Sequence, residues 1–185
     1  MKRAIYGVCI VVGQAILVTT LTRTANAQTL PDEVKAVLAH RVGHWQGHNY
    51  VLGPDGSVSR VEEENHEAQA IINGEIVEIR GIIDGREDFR AFLLYNPRIG
   101  KYVYSTIDRT NNHGDMTAEP DAPYRLTSNP ITLPDGRSLL FRLVFETVEQ
   151  DLMEGYGESS LDGGTTWRRV YNQVLRRVDN GSGPF

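Results

Sequence analysis

His44 and His48 stand four residues apart, with His40 just before them. On a strand the two share a face, a spacing that suits two metal ligands. No third ligand follows, and that face opposes Trp45, a residue better suited to the inside. His66-Glu67 opens like the zinc-protease signature, but the second histidine is missing. No metal and no cofactor are therefore expected. There is also no nucleophile-elbow serine, phosphate loop or dinucleotide fingerprint. No residue is assigned as catalytic.

Charges set among apolar residues are more informative. Arg142 lies within Leu140-Phe141-Arg142-Leu143-Val144-Phe145, and Glu154 and Tyr156 share a face further on. Arg142 and Glu154 are expected to pair across a hairpin that turns near residues 149–151. Facing inward, with Tyr156 beside them, they would form a polar anchor for a carboxylate-bearing ligand, or an enzyme's site. Facing outward, they would form an ordinary ion pair worth little. Phe141, Leu143 and Phe145 are the more apolar set, which assigns Arg142 to the outside. Glu62, Glu64 and His66 share one face of another strand, and Glu63, Asn65 and Glu67 the other. With both faces polar, that stretch is expected at a rim exposed to solvent.

Ser160-x-Asp162-x-Gly164-x-Thr166-Trp167 has the spacing of an Asp-box turn. Asp162 can accept hydrogen bonds from turn amides, the glycines supply positive φ, and Trp167 packs beneath. A propeller would need several such boxes, so this one reads as a structural hairpin turn.

These residues need elements to hold them. Pro31, Asp32 and Glu33 open the only good helical stretch, with Val34, Val37 and Leu38 on one face and an end near Gly43. Beyond it the chain reads as strands separated by Pro54-Asp55-Gly56, Asn73-Gly74, Asp84-Gly85, residues 96–100, the polar loop 109–115 and Pro134-Asp135-Gly136. Asn73-Gly74 between Ile72 and Ile76 is expected to be a two-residue hairpin turn. About ten strands at this spacing indicate an all-β, antiparallel up-and-down barrel.

Composition narrows the class further. The chain has 185 residues, with 19 Lys+Arg, 24 Asp+Glu and one Cys. Residues 1–27 read as a cleaved signal peptide: Met1-Lys2-Arg3, an apolar run, then Ala25-Asn26-Ala27. Cleavage would remove Lys2, Arg3 and Arg23, leaving 16 bases against 24 acids, a net charge of −8, and would remove Cys9. A mature chain of this kind has no disulfide and no thiolate chemistry. Its acidity argues against nucleic acid as a partner, and no stable membrane insertion is expected after cleavage. Residues 28–178 are expected to form one domain, residues 179–185 a disordered tail, and the location to be periplasmic or secreted.

Gly43-His44-Trp45-Gln46-Gly47 after a short helix, Leu94-Tyr95-Asn96-Pro97 through Gly100-Lys101-Tyr102, and Ser160 to Trp167 with Tyr171 beyond together resemble the calycins. The likeness is strongest to an exported bacterial branch of lipocalin-like domains. It implies a lipocalin-like barrel and a cavity, and no particular substrate. It also implies that Arg176 or Arg177 packs across Trp45. In nitrobindin-like calycins a late histidine holds haem; here no histidine follows His113. The expected ligand is a small hydrophobic or amphipathic molecule. Its expected lining is Trp45, Phe89, Tyr102, Tyr104, Phe141 and Phe145, and the chain is read as non-catalytic. The alternatives are an enzyme using Arg142, Glu154 and Tyr156 or a ligand-free interaction module.

Overall fold

The computed structural model describes residues 29–178. The expected signal segment and C-terminal tail lie outside the described residues. Helix α1 (Asp32–Arg41) starts at Pro31, whose carbonyl accepts the Lys35 amide at 3.0 Å. Asp32 and Glu33 in its first turn and His40 and Arg41 in its last complement the helix dipole. The helix buries Val34, Leu38 and Arg41, which are four and three residues apart and so share one stripe.

Eleven strands follow: β1 (Gly43–Leu52), β2 (Val58–Ile71), β3 (Ile76–Ile83), β4 (Arg86–Asn96), β5 (Lys101–Asp108), β6 (His113–Ala118), β7 (Arg125–Ser128), β8 (Ile131–Thr132), β9 (Ser138–Glu149), β10 (Leu152–Ser160) and β11 (Arg168–Val178). Ten of them close into an antiparallel barrel. Each pairs with its neighbour in sequence, except that β9 takes β7 on one side and β10 on the other, and β11 returns to β1. The two-residue β8 is the exception, pairing only with β9 at its margin. Closure leaves no long exposed edge.

The two ends differ. At one end α1 packs against β2, β3 and β4 and stops the barrel. The most deeply buried large side chains are Trp45, Tyr102, Leu38, Ile79, Met153, Leu175 and Val77. At the other end, the β3–β4 turn and the β5–β6 loop surround a mouth.

Glycines allow the closest backbone approach. A Cβ at Gly47 would lie 1.7 Å from the Val174 carbonyl oxygen on β11. Gly43, at φ 127°, leaves room for the Arg177 guanidinium. The Asn73-Gly74 turn differs from expectation. Ile71 pairs with Ile76, so the loop has four residues, and Ile72, Asn73 and Gly74 all have positive φ. A two-residue turn would have needed Ile72 opposite Glu75. The chain instead exposes Ile72, which is 63% accessible.

Candidate functional site

A cavity of about 870 Å³ occupies the open half of the barrel. Strand alternation decides what faces it. One wall is apolar, with Phe89, Met116, Phe141, Leu143 and Phe145. Glycines make room for two of these rings. A Cβ at Gly81 would lie 2.1 Å from the Phe89 ring, and one at Gly157 would meet both Tyr171 and Phe141. The rim is charged on both signs, from Arg60, Glu62, Asp84, Arg86, Asp88, Asp108 and Arg109. Arg60 pairs with Glu62 at 2.6 Å and Arg109 with Asp88 at 2.6 Å.

The remaining wall is polar. Glu64 and His66, alternate residues of β2, are 2% and 4% accessible. His66 Nε2 lies 2.7 Å from Glu64 Oε1, and Gln173 Nε2 on β11 donates to Glu64 Oε2 at 2.7 Å. Both carboxylate oxygens are thus occupied. Burial pushes the Glu64 carboxyl up, but His66, the bond from Gln173 and the Arg41 charge outweigh it, so its pKa falls below the ordinary range. Arg41 enters this space from the last turn of α1. Its Nη1 donates to Met153 Sδ at 2.9 Å, and its guanidinium lies 5.2 Å from the Phe145 ring centre. Burial lowers its pKa, against the fields of Tyr104, Tyr124 and Glu64. Tyr104 is pushed up to about 12 by burial, and burial also raises Tyr171, so both phenols stay protonated and can donate. Nδ1 of His66, Oε1 of Gln173 and Oδ1 of Asn49 are buried without a hydrogen-bond partner.

Sequence reasoning placed Glu62, Glu64 and His66 at a solvated rim. Only Glu62 lies there. Glu64 and His66 are interior because β2 pairs Trp45 with His66 and Gly47 with Glu64, which keeps both in phase with the inward face of β1. One available signal was the phase of Glu64 and His66 with Ala68, a small inward residue. Another was Arg41 on the stripe of Val34 and Leu38, a charge on an otherwise apolar helix face.

Of the expected lining, Phe89, Tyr104, Phe141 and Phe145 border the cavity. Trp45 and Tyr102 do not. Both are 1% accessible and lie in the packed closed end. Trp45 Nε1 donates to the Arg41 carbonyl at 3.1 Å, and the Arg177 guanidinium lies 4.2 Å over its ring. Arg177, rather than Arg176, therefore crosses Trp45, and it also donates to the carbonyls of His40 and Val42, tying β11 to the helix exit. Tyr102 meets Tyr95 edge-on at 5.3 Å.

The expected Arg142–Glu154 pair does not form. Glu149 pairs with Leu152, and a bulge at Glu146 shifts the ladder, so Arg142 faces Glu158. Arg142 Nε donates to Glu158 Oε2 at 2.9 Å and its guanidinium covers Trp167 at 4.0 Å. Glu154 lies opposite Thr147, and Tyr156 is covered by Arg169 at 3.6 Å. All face away from Leu143 and Phe145, as the apolar alternation required.

The Asp-box residues form a closed turn. Ser160 Oγ donates to Asp162 Oδ1 at 2.7 Å and accepts from Gly164 N at 2.8 Å. Asp162 accepts from Thr166 N and Oγ1, and Trp167 Nε1 donates to the Gly164 carbonyl at 2.9 Å. Hydrogen bonds from Thr166 first, then Ser160, hold the Asp162 carboxyl at about 2. The histidine pair faces outward, with the His48 ring 6.2 Å from Tyr50. Among the described residues no three His, Cys, Asp or Glu side chains come together as metal ligands.

The fold and site define a class: an antiparallel barrel, stopped at one end by a helix, with one large cavity part aromatic and part polar. No family model and no curated protein matches the chain. Among solved structures, it is similar to an S-type phycobiliprotein lyase from Guillardia theta. That match is 13% identical over 78% of this chain and 92% of that one, with a TM-score of 0.44. A protein of unknown function of the DUF3598 family from Nostoc punctiforme is 11% identical over 81% of this chain and 100% of that one, with a TM-score of 0.25. Likeness at this level does not bear on what the cavity holds.

Proposed function

We propose that this chain is an exported, non-catalytic barrel that binds a small, partly apolar molecule in its cavity. The observation that supports the reading is the cavity itself. Its volume of about 870 Å³ falls within the range of ligand sites, roughly 300–1,000 Å³, and it combines aromatic walls with a few buried polar groups. A barrel serving only as a scaffold would fill that space with side chains.

The Arg, Glu, His and Tyr cluster inside also invites a catalytic reading, by residues other than Arg142, Glu154 and Tyr156. The electrostatics of Glu64 and Tyr104 argue against either of them as the acid–base group. An acid–base catalyst works best with a pKa near the working pH. Here Glu64 is moved down and Tyr104 up to about 12, both away from neutrality.

The test is titration with N-phenyl-1-naphthylamine, a neutral aromatic probe that fluoresces in apolar surroundings. Saturable binding at one site, displaced by molecules co-purifying with protein taken from its own cell envelope, is the expected result. Absence of saturable binding would overturn the reading. The same preparation tests export: its N-terminus should be Gln28, and an intact Met1 would argue against cleavage.

A further inference from the structure

Arg41 is a buried cation whose contacts do not match its charge. It is 6% accessible and belongs to the cavity wall. A guanidinium offers five N–H donors in a planar fork and favours two-point contact with an oxyanion. Arg41 spends one on a thioether sulfur, a weak acceptor, and rests its face against Phe145. The one carboxylate whose field reaches it is Glu64, and that interaction acts through space rather than through a hydrogen bond. Glu64 has already given its oxygens to His66 and Gln173. Buried charges are ordinarily paired and hydrogen-bonded, because desolvating them alone is costly. Arg41 is therefore a cation with an open place for an acceptor, in a cavity lined by both polar groups and aromatic rings.

We propose that the cavity takes amphipathic molecules head-first, with a singly charged oxyanion head, a carboxylate or its like, seated against Arg41. The proposal rests on the cavity-binding reading and specifies its ligand. Tyr104, which lines the same cavity as Arg41 and whose hydroxyl stays protonated, supplies a further donor for the head. The apolar body then lies along Phe89, Met116, Phe141 and Leu143 towards the mouth. Net charge alone does not select the anion. The lining holds five carboxylates, Glu62, Glu64, Asp84, Asp88 and Asp108, against four guanidiniums, Arg41, Arg60, Arg86 and Arg109. Selection must come from contact at Arg41.

Two probes separate the head from the body. 8-Anilinonaphthalene-1-sulfonate and N-phenyl-1-naphthylamine share one aromatic body and differ by the sulfonate. Native protein should bind the anionic probe about tenfold or more tighter, the effect of a charge-assisted hydrogen bond in a desolvated site. Arg41→Met, which keeps length and apolar packing, should remove that preference, so that the two probes bind with similar affinity. Arg41→Lys, which keeps the charge and loses the fork, should fall between, and it serves if the Met variant fails to fold. Equal affinities in native protein, or a preference that survives in Arg41→Met, would overturn the proposal while leaving the cavity reading intact. Binding of neither probe would overturn that underlying reading as well.

Discussion

Single side chains divide the interior between folding and binding. Trp45 is sealed by Arg177 on one face and tied through Nε1 to the helix exit, so its ring connects β1, β11 and α1. Trp45→Ala should cost about 3–5 kcal/mol of unfolding free energy, measured by urea denaturation, because it empties a core aromatic site. A midpoint equal to that of the native protein would show that the closed end does not depend on the ring. Glu64 makes a different prediction. Its folded pKa lies below the unfolded value, so its ionisation stabilises the fold at neutral pH, and that contribution disappears as pH falls through the folded pKa. Glu64→Gln should lower stability by about 1–3 kcal/mol at pH 7, and the gap should close as the native protein is acidified below pH 4. A gap independent of pH would contradict the ionised, doubly bonded carboxylate. The G-x-W-x-G spacing marked Trp45 as an inward residue, but not that it packs in the closed end rather than lining the cavity. Glu64 and His66 were not legible, because an acidic run with polar residues on both faces looks solvated until its register against β1 is known.

Elements decide which of those side chains can meet. The β9–β10 hairpin shows how little is needed to change a pairing. The register set at Glu149 and Leu152 would place Arg142 opposite Ser159, and one extra residue at Glu146 hands it to Glu158. Alternation alone read the correct face for Arg142, but register depends on bulges, which period-two patterns do not reveal. The β10–β11 turn was legible in full, because every donor and acceptor in the Asp-box is local. Asp162 sits at about 2, below its ordinary 3.8. Its stabilising effect is therefore complete above pH 4 and is lost as pH drops from 3.8 through 2. Asp162→Asn should melt below the native protein at pH 6, and the two melting temperatures should converge towards pH 2. Differential scanning calorimetry across that range reads the result directly. A constant difference would mean that Asp162 acts only through shape.

At the scale of the whole molecule, the strand count, turn spacing and leading helix were sufficient to indicate a closed barrel. Which half is solid and which is hollow depends on long-range packing. The helix fills one end, and its last buried residue, Arg41, forms part of the cavity floor. The most deeply buried residues lie away from the cavity, while Tyr104, Leu143 and Phe145 belong to both core and wall. Trp45, Tyr102, Leu38, Ile79, Met153, Leu175 and Val77 are the most deeply buried, and none of them borders the cavity. Stability and capacity should then be separable. Met116, on the cavity wall, is only partly buried and faces free volume. Met116→Trp should occupy that volume without the strain of a tightly packed site. It should weaken N-phenyl-1-naphthylamine binding at least tenfold, about 1.4 kcal/mol, while leaving the urea midpoint unchanged. A parallel loss of stability and binding in Met116→Trp would show that the hollow half helps hold the barrel together. Loss of binding alone, beside a Trp45→Ala variant that loses stability, would establish that the closed end carries the fold and the open end is free to be shaped by what it binds.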